Sequence, residues 1–521
     1  MSGPWLLTLP VLAPLTAAAA GVVAWRVPRA QAVLALIGSA AQVGAAAGLL
    51  ARVLAGGVQV AQLGSWPAPF GITLAADLLG AVMALVTGVI GLTITIYSLA
   101  DIDEGRRAFG YFPLVQVLLA GVAAAFLTGD LFNLYVCFEV LLMASFVLLA
   151  LGGQRAQMAG ALTYVTINLL SSALFLAGVG LTYGVTRSLN MAELHLRLAI
   201  AAESRPELIV ALAGVFLVAF GIKAAVFPLY TWLPASYHTP PVAVSALLAG
   251  LLTKVGVYAL IRILTLVFPP LPGVPTFLLG VAALTMVFGV LGAVAMYETR
   301  RILSFHIVSQ IGYMVMGLAL IGSPSQAVRA AGLAAALFYV VHHILVKANL
   351  FLVAGLAARV GGSFQLAQLG GLAPRAPWLA LLFLIPAGSL AGVPPLSGFW
   401  AKLAVIRAGL EGGAWLAVTA ALAAGLLTVL SMAKIWTEGF WKPAPPEAPQ
   451  PAPLCRRRLG LLVAPSVALA VLTLGIGLHP RPLWELSQRA AVQLLDPAAY
   501  VAAVAEHGPD RTSPPAQEVS P

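Results

Sequence analysis

Apolar stretches of about 18–25 residues recur along the whole chain of 521 residues, each long enough to cross a hydrocarbon core about 30 Å thick. They fall at approximately 4–24, 31–53, 73–99, 111–128, 131–152, 158–184, 208–230, 241–265, 275–297, 302–321, 327–357, 378–406, 414–437 and 460–478. Inside lipid every backbone N–H and C=O must find a partner within the protein, so such stretches form helices. The expected fold is an all-α polytopic membrane protein of about 14 transmembrane helices. Charged side chains make up only 9% of the sequence, far too few to coat a soluble protein of this length.

The remaining composition excludes several function classes. The net charge of +10 suggests a nucleic-acid partner, but no basic run exceeds Arg456-Arg457-Arg458, and membrane topology explains the excess better. Cys137 and Cys455 stand alone, which rules out a local zinc knuckle or a cysteine-held iron–sulfur cluster. No haem, flavin or metal motif is present, no P-loop occurs, and no GxGxxG follows a strand, so no cofactor is expected. The opening Met-Ser-Gly-Pro-Trp lacks a basic n-region, and the first apolar stretch reads as an uncleaved span. Residues 443–454 read as a Pro-rich linker and 496–521 as a polar, disordered tail. No long lateral helix is apparent after the last span. Connectors at odd positions carry about 14 Lys and Arg, against about 10 in even connectors and termini. That bias puts the odd loops in the cytoplasm and both termini outside.

Arginine and lysine are distributed differently. The arginines sit in loops or near helix ends, whereas Lys223, Lys254, Lys347 and Lys402 fall inside apolar stretches. A charge at mid-bilayer costs at least about 2.5–3.5 kcal/mol. Lysine can give up its proton when buried, while arginine stays protonated. Snorkelling or a structural ion pair is the plainer reading of one such lysine; four together suit proton transfer. Glu139, in GDLFNLYVCFEVLLMASF, belongs with them, and Lys223 is its expected partner on chemical grounds, with a static salt bridge as the structural alternative. In FYVVHHILVKANLFLVAG, Tyr339, His343 and Lys347 recur every four residues and share one helix face, with His342 pointing elsewhere. Lys254 and Tyr258 form a second pair, and Arg262 continues that stripe. His306 lies beside Ser304, Ser309 and Gln310 and is a further relay candidate. Asp77 and Asp130 read as helix caps.

Two spans carry helix breakers near a lysine: GIKAAVFPLYTWLP with Lys223, Pro228 and Pro234, and AGVPPLSGFWAK with Pro394, Pro395, Gly398 and Lys402. Interrupted segments at matching places in two halves point to inverted repeats, although kinks used only for packing leave the same trace. The expected organisation is three leading helices in 1–110, a first five-helix repeat in 111–270 and a second in 271–440. Residues 441–521 supply the Pro-rich loop, a last span and the tail.

These residues resemble the antiporter-like family shared by Mrp cation/proton antiporters and the proton-pumping arm of respiratory complex I. The likeness covers roughly 70–440 and looks nearest to the Mrp D branch. It rests on GIKAAVFPLYTWLPASYHTPPVAVSALLAGLLTKVGVYALIR, supported by GDLFNLYVCFEVLLMASF, TRSLNMAEL and FYVVHHILVKANLFL. The resemblance implies that Glu139, Lys223, Lys254, His343, Lys347 and Lys402 form a polar axis at mid-membrane that carries protons. Tyr237, with His238 beside it, and Tyr339 stand where many complex I relatives have histidine. Lys402 is usual for the Mrp D branch, where some complex I relatives have glutamate. By the same resemblance the chain is a proton-translocating subunit of a multi-subunit Na⁺/H⁺ antiporter, not an enzyme, in the plasma membrane. Its partners would be subunits of the Mrp A, B, C, E, F and G type, with H⁺ and Na⁺ as transported ions. The alternative is a proton-pumping membrane subunit of a redox complex, an NADH:quinone oxidoreductase or a membrane-bound hydrogenase.

Overall fold

The computed structural model describes residues 5–446 and 455–506. Among these, twelve helices are long and apolar enough to cross a membrane, and two shorter apolar helices, Tyr111–Leu127 and Pro377–Ala391, occupy the places of the remaining expected spans. Short connectors make consecutive helices antiparallel neighbours, as with Val274–Ala295 and Thr299–Ala319.

Apolarity all round a helix lets it be enclosed by other helices. Val242–Arg262 and Gln326–Gly361 are the two so enclosed; they pack on each other, and both touch Leu78–Asp101. Outer helices such as Arg155–Thr186 instead leave Leu162, Leu169, Leu170 and Leu176 exposed, a surface suited to lipid.

Two spans are broken where the sequence placed the breakers. Pro206–Ala224 ends at Ala225, whose φ of +61° puts a non-glycine residue in the left-handed region, and the chain resumes as Trp232–Ser236. A left-handed residue with a Cβ costs about 1–2 kcal/mol, so the surroundings must hold it. Pro377–Ala391 similarly gives way to Ser397–Glu411 across Pro394 and Pro395. Side chains satisfy the backbone groups the breaks release. Trp232 Nε1 donates to the Ile222 carbonyl at 3.0 Å, the Phe227 amide donates to Thr285 Oγ1 at 3.0 Å, and the Gly398 amide donates to Ser389 Oγ at 3.1 Å. Each break is the fourth span of a five-span set. Because five is odd, the second set starts from the opposite face to the first, which is the inverted arrangement.

The loops carry structure that the hydropathy pattern does not show. Gln59–Gln62 and Thr73–Ala76 pair antiparallel, so the third span begins at Leu78 rather than at residue 73. Bridges from Leu74 to Thr128 and from Asp130 to Asn190 tie this hairpin to its neighbours. Residues 191–204, read as a loop, form a helix capped by Asn190. The expected disorder from residue 496 is corrected for its first part: Arg481–Leu495 and Ala498–Glu506 are helices. Arg481–Leu495 is too short and too polar on one side to score as a span, yet it lays Ser487, Ala490, Ala491 and Leu494 against the bundle. Most of the Pro-rich stretch 443–454 and the end of the tail lie outside the described residues.

Candidate functional site

Lys223 occupies the last turn of its half-helix, where backbone carbonyls point at the ammonium and the helix dipole favours positive charge. Its Nζ donates to the Asn168 carbonyl at 3.2 Å and to Ser172 Oγ at 3.1 Å. This corrects the expected direct pair with Glu139. The two form no ion pair among the described residues, because the lysine turns toward the polar stripe of Arg155–Thr186. The Glu139 field still reaches the lysine, and the Phe138 ring beside it lies 5.7 Å from the ammonium. Glu139 Oε1 is buried with no hydrogen-bond partner.

The centre of the bundle holds Lys254, His343 and Lys347, all fully enclosed. Lys254 donates to the Ala249 carbonyl at 2.5 Å, and Lys347 donates to the Leu303 carbonyl at 3.0 Å on the adjacent helix. Among the described residues neither pairs with a carboxylate. His343 lies within electrostatic range of Lys254, Lys347, His342 and His306. Both of its ring nitrogens are buried without a protein partner. An orphaned buried polar group costs about 1–3 kcal/mol, which water between the side chains would relieve. Thr253 Oγ1 and both polar atoms of the Asn349 side chain are orphaned in the same way.

Toward the second break, His306 Nε2 shares a hydrogen bond with Ser431 Oγ at 2.9 Å, and the fields of Lys347 and Lys402 both reach it. Lys402 donates to the Ala391 carbonyl at 3.0 Å, the last residue of its own broken half-helix. Lys402 therefore repeats the Lys223 arrangement, a cation at the carbonyl end of a half-helix. The Tyr313 ring lies 5.4 Å from its ammonium.

Other expected relay residues turn out differently placed. Tyr339 shares a face with His343, but its hydroxyl donates to Gln310 and its ring stacks on Tyr313. Tyr258 donates to the Phe126 carbonyl at 2.9 Å and accepts from Arg262 Nε at 2.9 Å, so its oxygen is already engaged. Tyr237 is buried among Trp232 and Tyr164 with its hydroxyl unpartnered. His238, in the connector 237–241, bonds the Pro234 carbonyl at 2.9 Å; burial and the nearby Arg301 and Arg300 hold its imidazole down at about 4. No hydrogen bond joins Lys223 to Lys254 among the described residues. Their helices meet instead through Gly256, where an added Cβ would lie 2.5 Å from the Ala224 nitrogen.

His342 is the residue sequence reasoning undervalued. It points away from His343 as expected, but toward the second break: Nδ1 bonds Ser397 Oγ at 2.8 Å, and Ser397 reaches Ser389 Oγ at 3.0 Å. Two serines flanking the Pro-Pro break were the available signal. Asp77 and Asp130 cap their helices through the Gly80 and Asn133 amides, at 2.8 and 2.7 Å. Asp77 does more, gripping Arg262 with both carboxylate oxygens.

Comparison with known proteins follows the same lines. Residues 128–428 match the transmembrane family described as NADH:quinone oxidoreductase/Mrp antiporter. A D-type Na(+)/H(+) antiporter subunit of Alkalihalophilus pseudofirmus is 44% identical over 457 residues, covering 88% of this chain and 90% of the relative. A chain in the structure of the Mrp complex from Dietzia sp. DQ12-45-1b aligns with a TM-score of 0.88 at 37% identity, over 97% of this chain and 100% of that one. A chain of the membrane-bound sulfane sulfur reductase, an archaeal respiratory membrane complex, aligns with a TM-score of 0.86 at 25% identity, over 96% and 99%.

Proposed function

The chain belongs to the NADH:quinone oxidoreductase/Mrp antiporter transmembrane family, and on that premise we propose that it is the proton-carrying D-type component of a multi-subunit Na⁺/H⁺ antiporter. The observation that carries the proposal is the enclosed trio Lys254, His343 and Lys347. It has three titratable groups, no carboxylate to fix their charge, and an imidazole whose two nitrogens have no protein partner.

In this reading protons enter near Glu139 and Lys223, and water spans the interval to Lys254. They cross the centre through His343 and Lys347, then reach Lys402 by way of His306. The two outer lysines sit at carbonyl ends of half-helices, which favour the charged form; the two central ones lack that support. A proton moving inward from either end climbs in energy, so the centre acts as a barrier whose height responds to charge on either side. Loss of the Lys223 charge, or movement of Glu139, changes that height and supplies the coupling to Na⁺ export.

The relatives named as Mrp components support companion subunits of the Mrp A, B, C, E, F and G type, and a place in the plasma membrane. The excess of Lys and Arg in odd-numbered connectors supports both termini lying outside. The likeness to a respiratory complex keeps the redox-driven pump as the second reading, at a lower identity than the antiporter relatives.

The test is purification of the native complex in mild detergent, identification of its companion polypeptides by mass spectrometry, and assay of Na⁺-driven proton movement after reconstitution. Small hydrophobic partners with Na⁺-dependent proton flux support the antiporter. Copurifying iron–sulfur or nickel subunits with no such flux would replace it with the redox pump.

A further inference from the structure

We propose that the buried pair Asp77–Arg262 is an electrostatic plug that closes a direct route from Lys254 to the membrane face bearing the C-terminal helices. The inference rests on the proton-carrying role proposed above for Lys254.

Lys254, Tyr258 and Arg262 follow one another every four residues on a fully enclosed helix, about 6 Å per step toward that face. A proton on Lys254 thus has a ready-made ladder out of the bundle that bypasses His343 and Lys347. The structure blocks the ladder at each rung. Tyr258 already donates to the Phe126 carbonyl and accepts from Arg262 Nε, which leaves its oxygen poorly placed to take another proton. Beyond it stands a guanidinium held by two charge-assisted bonds to Asp77, at 2.6 and 2.5 Å, both side chains about 2% exposed. Asp77 is itself pinned by the Gly80 amide. Arginine does not surrender its proton in a protein, so it cannot relay one, and its charge repels a second cation, as guanidinium groups do in water-selective pores.

The C-terminal segment completes the seal. Tyr500 lies 5.6 Å over the guanidinium, on the side away from Tyr258, and Gln493 accepts from the Leu78 amide at 3.0 Å. Asp77, Tyr258 and Tyr500 are thus the titratable groups facing Arg262, with Asp130 adjoining Tyr500. A buried ion pair adds little to stability compared with apolar side chains, so a fold needing only packing here would not require one.

The experiment reconstitutes the whole complex in Na⁺-free liposomes and follows passive decay of an imposed pH gradient. The double variant D77N/R262Q removes both charges together, leaving no unpaired ion. It should decay several-fold faster than the parent, and adding K347A should leave that leak intact, because the leak bypasses Lys347. The single variant R262K keeps the ion pair, and so the fold, but lysine can release a proton; its leak should grow as pH rises. Tight membranes with both assembled variants, or a leak abolished by K347A, would overturn the proposal. If D77N/R262Q fails to assemble, R262K alone decides: a leak that rises with pH supports the plug, and a tight membrane at every pH overturns it. Parent complex with no Na⁺-driven proton movement would overturn the antiport reading instead, and the two failures are read in separate assays.

Discussion

The ammonium of Lys347 rests 3.0 Å from the Leu303 carbonyl, a partner that carries no charge and no proton. A neutral amine donates to a carbonyl as an ammonium does, so the contact survives deprotonation. Lys254 on Ala249 and Lys402 on Ala391 are held in the same manner. A carboxylate partner would have tied each lysine to its charged form. Carbonyl partners keep the amines in position in both states, which is what a relay requires.

Lys402→Arg separates charge from proton exchange. Arginine keeps the cation at the end of the half-helix but does not deprotonate. We expect an assembled complex with Na⁺-driven proton movement reduced to background, measured as quenching of a pH-sensitive dye in everted vesicles.

Ser172→Ala removes one of the two acceptors on Lys223 and leaves the Asn168 carbonyl. Loss of one hydrogen bond to a charged group is worth about 1.5–3 kcal/mol, shared between transport and stability. A partial loss of antiport is expected, with rates clearly above those of Lys223→Ala in the same assay.

Gly256→Ala places a methyl group 2.5 Å from the Ala224 backbone nitrogen and 2.8 Å from the Lys223 carbonyl carbon. Backbone cannot move aside as a side-chain end can. Overpacking of this kind costs about 1–3 kcal/mol, read as a lower unfolding temperature of the purified complex. Transport should fall further than stability, because the displaced segment carries Lys223. Gly398→Ala makes the matching test at the second break, where the added carbon would lie 1.7 Å from the Ser389 carbonyl oxygen.

His238 gives a pH dependence with a definite sign. Burial first, then Arg301 and Arg300, hold its folded-state value at about 4, below the usual value near 6.5 for an unfolded chain. The unfolded state therefore binds more protons between these values, and stability falls as pH drops from about 6.5 toward 4. His238→Gln should remove part of that acid sensitivity. Melting temperatures of parent and variant at pH 7 and pH 5 decide it: the parent should lose more on acidification.

The helices were legible because lipid leaves the backbone few choices. Lys223 beside Pro228 and Lys402 beside Pro395 also announced the broken spans, since proline and lysine both disturb an apolar helix. Contacts between distant segments were harder to read. Chemistry alone suggested Glu139 for Lys223, but only the fold could bring Ser172 and Asn168 closer. Asp77 read as a cap because its amide partner is three residues away, whereas Arg262 lies 185 positions further on. The C-terminal helices escaped because Arg481–Leu495 alternates polar and apolar residues at helical spacing without becoming hydrophobic enough to be a span. His342 was set aside because it faces away from Lys347, and that direction is the one leading to Ser397.

The central claim is that protons cross the membrane through the enclosed trio Lys254, His343 and Lys347. Its most direct test is proton flux driven by a Na⁺ gradient in liposomes holding purified complex with Lys347→Ala, assembly being checked by native gel electrophoresis. The account predicts an intact complex whose Na⁺-driven proton flux falls to that of empty liposomes. Parent-level flux from the assembled variant would contradict it, since no proton route through the centre could then depend on that amine.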